Sequence, residues 1–127
     1  MDKYFYYTLH TIISNLNKNN IFKAIREFEE LKYRRDKEDI KVIEETIKYY
    51  IRQLLNKYIV IIEDRCINRR LCLGGYDVVL AEIFERNGDF VIVKYEHHGA
   101  ETLSEAYRIA EKLAKQYNAK IVYDFEQ

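Results

Sequence analysis

The chain has 127 residues, 48% of them hydrophobic and 33% charged, and its 21 basic and 21 acidic side chains cancel. That hydrophobic share excludes a disordered chain, and the zero balance removes the whole-domain electrostatic case for nucleic acid without excluding a local patch. No apolar run approaches the ~20 residues that span a bilayer, and no basic stretch followed by an apolar segment opens the chain, so neither a membrane span nor a signal peptide is expected.

The length fits a single domain over residues 1–127, with a helical half at 1–57 and a hairpin, helix and strand half at 58–127. Residues 3–17 carry Phe5, Leu9, Ile12, Ile13 and Leu16 on one helical stripe, with Tyr4, Tyr6 and Tyr7 around it. Tyrosine is favoured at interfaces, so this first turn reads as a packing or dimer surface before it reads as a base-stacking platform. Asn20 is placed to cap a second helix over 21–35, built on Ile21, Ala24, Ile25, Phe28 and Leu31. Asp36-Lys37-Glu38-Asp39 breaks it. Asp39 is placed to cap a third helix that runs through Ile40, Ile43, Ile47, Ile51, Leu54 and Leu55 to about Lys57. Short connectors predict that the three helices pack antiparallel.

Tyr58-Ile59-Val60-Ile61-Ile62 could lengthen the third helix, but its β-branched run favours a strand. Residues 63–75 carry few signals beyond Gly74-Gly75, which marks a turn into the next element. Asn87-Gly88 between two β-rich runs is a hairpin signal, because a type I′ turn needs positive φ at both central residues. A two-residue loop pairs Arg86 with Asp89, Phe84 with Val91, Glu82 with Val93 and Leu80 with Tyr95. One face then carries Val78, Leu80, Phe84, Val91, Val93 and Tyr95, and the other Val79, Ala81, Ile83, Phe90 and Ile92. Both faces are apolar, so one helix cannot be the only cover of this sheet. Thr102-Leu103-Ser104-Glu105 fits a capping box, and Leu103, Ala106, Ile109, Ala110, Leu113, Ala114 and Tyr117 form the apolar stripe of a helix that Asn118 can end in a left-handed conformation. Lys120 to Phe125 reads as a closing strand.

Two strands followed by Thr102, Glu105-Ala106, Ala110, Leu113-Ala114, Ala119 and Ile121-Val122 resemble small strand-strand-helix-strand domains of unknown function over roughly the last fifty residues. The resemblance rests on packing residues and implies no active site. Asn20 to Leu31, with Ala24 and Phe28 four apart, resembles the second helix of tetratricopeptide-type repeats. Such arrays need about three repeats, so the segment reads as an ordinary helical hairpin. The absence of proline and tryptophan, the twelve tyrosines and the abundant Ile, Lys and Glu resemble small open reading frames of crenarchaea and their viruses, a composition also found in AT-rich bacterial genomes. The charge richness suits a thermophile.

Two basic clusters are candidate nucleic-acid contacts. One is Arg65, Arg69 and Arg70, and the other is Lys32, Arg34 and Arg35 with Lys37. Arginine forks suit phosphate, but Glu63, Asp64, Asp36 and Glu38 stand close enough in sequence to neutralise both clusters. A winged helix shares the outline of three helices and a hairpin, yet Glu44 and Glu45 make the third helix too acidic to read DNA, and the hairpin is too apolar for an exposed wing. His97, His98 and Glu101 lie at a strand end before a helix, where an acid–base pair is conceivable, although no nucleophile accompanies them. Cys66 and Cys72 are either buried thiols or a disulfide. Their spacing departs from common zinc sites, and adjacent histidines on a strand point to opposite faces, so no metal or other cofactor is expected.

The chain is therefore expected to be an α+β protein of order ααα-β-β-β-α-β. Its N-terminal three-helix layer packs with a mostly antiparallel sheet of about four strands and one long C-terminal helix. The expected function is a small non-enzymatic binding or regulatory module, cytoplasmic (host cytoplasm for a viral protein) and homodimeric, whose partner is a protein or nucleic acid. The alternative is a small hydrolase or nuclease using His97, His98 and Glu101.

Overall fold

The computed structural model describes residues 3–31, 37–66 and 74–124. The chain divides into two units, Met1–Gln53 and Leu54–Gln127.

The first unit holds α1 (Lys3–Asn17), α2 (Ile21–Leu31) and α3 (Lys37–Arg52). The stripes read from the sequence are the buried ones: Ile12 and Leu16 on α1, Ile21, Ala24 and Phe28 on α2, Ile43 and Ile47 on α3. Asn19 takes a left-handed φ of 62° and turns the chain, and the Asn20 carbonyl accepts the Ala24 N–H at 3.2 Å, so Asn20 stands at the start of α2 through its backbone, while its Oδ1 does not make the expected capping bond. Polar ties join the helices. Asn15 Nδ2 donates to both carboxylate oxygens of Glu27 at 3.1 Å, and Tyr50 Oη donates to Asn17 Oδ1 at 2.9 Å. The third helix starts at Lys37, so Asp39 lies inside its first turn instead of capping it. It stops at Arg52, well before Lys57. Beyond it Leu55 bridges to Ile83, and Asn56, at φ 60°, donates its N–H to the Ile83 carbonyl at 3.2 Å. Sheet backbone takes the groups that a longer helix would have paired internally.

The second unit holds β1 (Tyr58–Asp64), β2 (Tyr76–Arg86), β3 (Asp89–Ala100), α4 (Leu103–Tyr117) and β4 (Lys120–Asp124). The ambiguous run at Tyr58 is thus a strand, with buried residues throughout Ile59–Ile62 because β2 and β4 flank it on both sides. Strand order is β3-β2-β1-β4. β1 and β3 both run antiparallel to β2, whereas β4 runs parallel to β1. The sheet is therefore mixed, and the expectation of a mostly antiparallel sheet is corrected on this point. The reason is α4. A helix that crosses the sheet after β3 returns the chain to the end where β3 began, and the following strand must run in the same direction.

α4 forms where its signals predict. The Glu105 N–H donates to Thr102 Oγ1 at 3.1 Å, but the Glu105 carboxylate reaches back to the Glu101 N–H at 3.2 Å, one residue earlier than a standard capping box. Asn118 closes the helix at φ 52°. The α4 face of the sheet presents Val60, Ile62, Val78, Leu80 and Ala100 to Ala106, Ala110 and Leu113. Alanines at the contact let the helix sit close, and that closeness leaves no room for a larger side chain. Ala110→Leu is expected to cost ~1–3 kcal/mol through overpacking. The exposed Ser104→Ala on the same helix should stay within ~0.5 kcal/mol in urea unfolding. Equal stabilities for the two variants would contradict the close packing.

Candidate functional site

The hairpin turn is the predicted one, with positive φ at Asn87 (53°) and Gly88 (84°). From it the ladder pairs Arg86 with Asp89, Phe84 with Val91 and Glu82 with Val93, as expected. The fourth expected pair fails. Leu80 faces Glu96, and the register shifts between Leu80 and Ala81. Tyr95 is the extra residue of a β-bulge. Its hydroxyl donates to Glu82 Oε1 at 2.9 Å, and its ring meets Tyr58 at 6.0 Å. The bond to Glu82 raises the Tyr95 phenol above its ordinary range, and the Glu96 charge does the same for Tyr117.

The bulge decides which residues meet beyond it. In an unbroken register His98 would stand opposite Asp77. In the bulged one Gly99 takes that place, His97 stands opposite Val79, and His98 stands opposite Val78. Arg65 occupies the room this creates. A Cβ on Gly99 would lie 2.8 Å from Arg65 Nη2, and one on Gly75 would lie 3.0 Å from the Ala100 carbonyl and 3.1 Å from Arg65 Nη1. Arg65 Nε donates to Asp77 Oδ1 at 3.3 Å, and Nη2 donates to the Tyr76 carbonyl at 3.3 Å. His97 Nε2 lies 3.3 Å from Asp77 Oδ2. Glu63 is opposite Asp77 on β1, and Lys94 Nζ approaches its Oε1 at 3.8 Å. One donor atom each from Glu63, Asp77 and His97 lies within 4.8 Å of the other two.

The sequence-predicted candidates are thus divided. Arg65 is described and is engaged with Asp77 and Tyr76, rather than with Glu63 or Asp64. Arg69, Arg70, Lys32, Arg34 and Arg35 lie outside the described residues, and so does Cys72. Cys66 is disulfide-bonded. His97 and His98 occupy opposite faces, with His98 Nε2 at 3.9 Å from Glu96 Oε1. Glu101 is exposed beyond the end of β3, so the three residues do not share one face. Sequence reasoning missed Glu63 and Asp77, whose only signal was an acidic residue near the end of one apolar strand and near the start of the next. No helix among the described residues is long and apolar enough to cross a membrane. No known protein family, curated protein or solved structure matches the chain.

The two glycines around Arg65 are predicted to differ in kind. Gly75 sits at φ +104°, where a side chain strains the backbone and meets a carbonyl, so Gly75→Ala should cost more than ~1 kcal/mol. A Cβ on Gly99 meets only side-chain atoms of Arg65 and no backbone, and Gly99 has no left-handed φ, so Gly99→Ala should cost less than Gly75→Ala in chemical denaturation. The reverse order would contradict the placement of Arg65.

Proposed function

We propose that this protein is a non-enzymatic binding module that pairs the open edge of β3 with an extended strand of a protein partner, the first such partner being a second copy of itself. The observation that carries this reading is the composition of that edge. β3 is a twelve-residue edge strand on which Val91 (42%), Ile92 (36%), Val93 (37%) and Tyr95 (50%) remain exposed. Long apolar edges invite pairing with another chain.

Backbone geometry supports the same reading. In a two-residue hairpin Arg86–Asp89 is a hydrogen-bonded pair, and the alternation then points the N–H and C=O of Phe90, Ile92 and Lys94 away from β2. A copy meeting this edge about a two-fold axis at Ile92 would set Ile92 against Ile92, Val91 against Val93 and Phe90 against Lys94. No like charges oppose each other in that register. The bulge at Tyr95 ends the regular segment, so pairing is confined to Asp89–Lys94. Tyr6 and Tyr7 on α1 are exposed as well and would offer a separate contact surface. A nucleic-acid partner has less support, since the chain is neutral and Arg65 is held by Asp77.

Light scattering coupled to gel filtration is expected to give a mass near twice 15.4 kDa. Ile92→Pro removes an outward N–H without touching the β2 ladder, and it should yield a monomer with unchanged circular dichroism. Ile92→Lys should do the same by charge. A wild-type monomer, or a dimer that both variants leave intact, would defeat the self-pairing reading.

A further inference from the structure

Away from the outer edge of β3, the end of the sheet gathers a set of side chains that strand pairing does not use. Glu63, Asp77 and His97 come from three adjacent strands and project from one face, with a donor atom of each within 4.8 Å of the others. We propose that these three side chains form a binding site for one borderline divalent cation of the zinc class, with its remaining coordination positions open to solvent.

Donor geometry is the first support. Ligands of a tetrahedral ion at ~2.0–2.1 Å lie about 3.3 Å from one another. His97 Nε2 and Asp77 Oδ2 already stand 3.3 Å apart. Glu63 has a donor oxygen within 4.8 Å of both, and its ion pair with Lys94 is long, at 3.8 Å.

The surroundings of Asp77 are the second support. Its two oxygens are used differently. Oδ1 accepts from Arg65, while Oδ2 faces His97. A carboxylate fixed through one oxygen by a neighbouring donor presents the other in a set direction, which is how ligating carboxylates are commonly oriented. Arg65 is itself fixed by its second bond to the Tyr76 carbonyl and by the space that Gly75 and Gly99 leave for it. The arginine therefore positions Asp77 and leaves the metal-facing oxygen free.

The donor set narrows the ion. One imidazole nitrogen with two carboxylate oxygens suits zinc, and a single carboxylate pair supplies too few oxygens for calcium, which takes six to eight. His97 is 56% exposed, so an ion can enter directly and keep bound water. The bulge at Tyr95 selects His97 for this face and sends His98 to the other.

The test is calorimetric titration of the full chain with zinc chloride, in buffer free of added thiol because Cys66 is disulfide-bonded and a reduced thiol would itself take zinc. Saturable binding of one ion per chain is expected in the micromolar range or tighter. His97→Ala and Glu63→Gln should each weaken it at least roughly tenfold, and His98→Ala should leave it unchanged. Manganese(II) should broaden the His97 ring resonances in nuclear magnetic resonance before those of His10 and His98. Unfolding temperatures measured without metal show whether each variant is folded. Absence of saturable binding, or His98→Ala matching His97→Ala in its loss, would overturn the proposal.

Discussion

One extra residue in β3 governs how the second half of the hairpin meets the rest of its unit. A strand alternates its side chains with a period of two, so a single inserted residue reverses every face beyond it. At Tyr95 the insertion is stabilised by a hydroxyl on Glu82 and a ring against Tyr58. Beyond it Ala100 enters the core under α4, Gly99 comes opposite Asp77, and His97 joins the carboxylates of β1 and β2. Arg65 fits only because a glycine, and not a histidine, stands there.

The same bulge divides β3 into two regions. Between the turn and Lys94 the strand is regular, apolar and open along one side. After Tyr95 it is polar and faces a cluster of charged groups. A bulge is also one of the ways in which sheets limit edge pairing, so the edge pairing proposed above would be confined to the first region. The opposite edge needs less protection. β4 has only five residues, and its parallel pairing with β1 follows from the crossover that α4 makes.

Much of the architecture was legible locally. The Asn87-Gly88 turn, the Thr102 cap, the left-handed Asn118 and the alanine stripe of α4 each depend on residues close together in the chain, and each formed where expected. The end of α3 moved where distant backbone intervened, because Ile83 takes the backbone of Leu55 and Asn56. The Glu105 return bond shifted by one residue for a local reason, within its own turn. His97 and His98 stood out in the sequence, but their neighbour Glu101 does not share a face with both. The carboxylates that do meet His97 come from other strands.

By itself the sequence determined the α+β class, the order of the elements and the two-sided apolar character of the hairpin, because periodicity, caps and turn residues act over a few positions. Tertiary structure alone decided the parallel β1–β4 ladder, the place of the bulge and the meeting of Glu63, Arg65, Asp77 and His97. The physical reason is that cross-strand neighbours are fixed by register. Register depends on how a whole strand balances its packing against partners far away in the chain, and a one-residue shift leaves no local mark in the sequence.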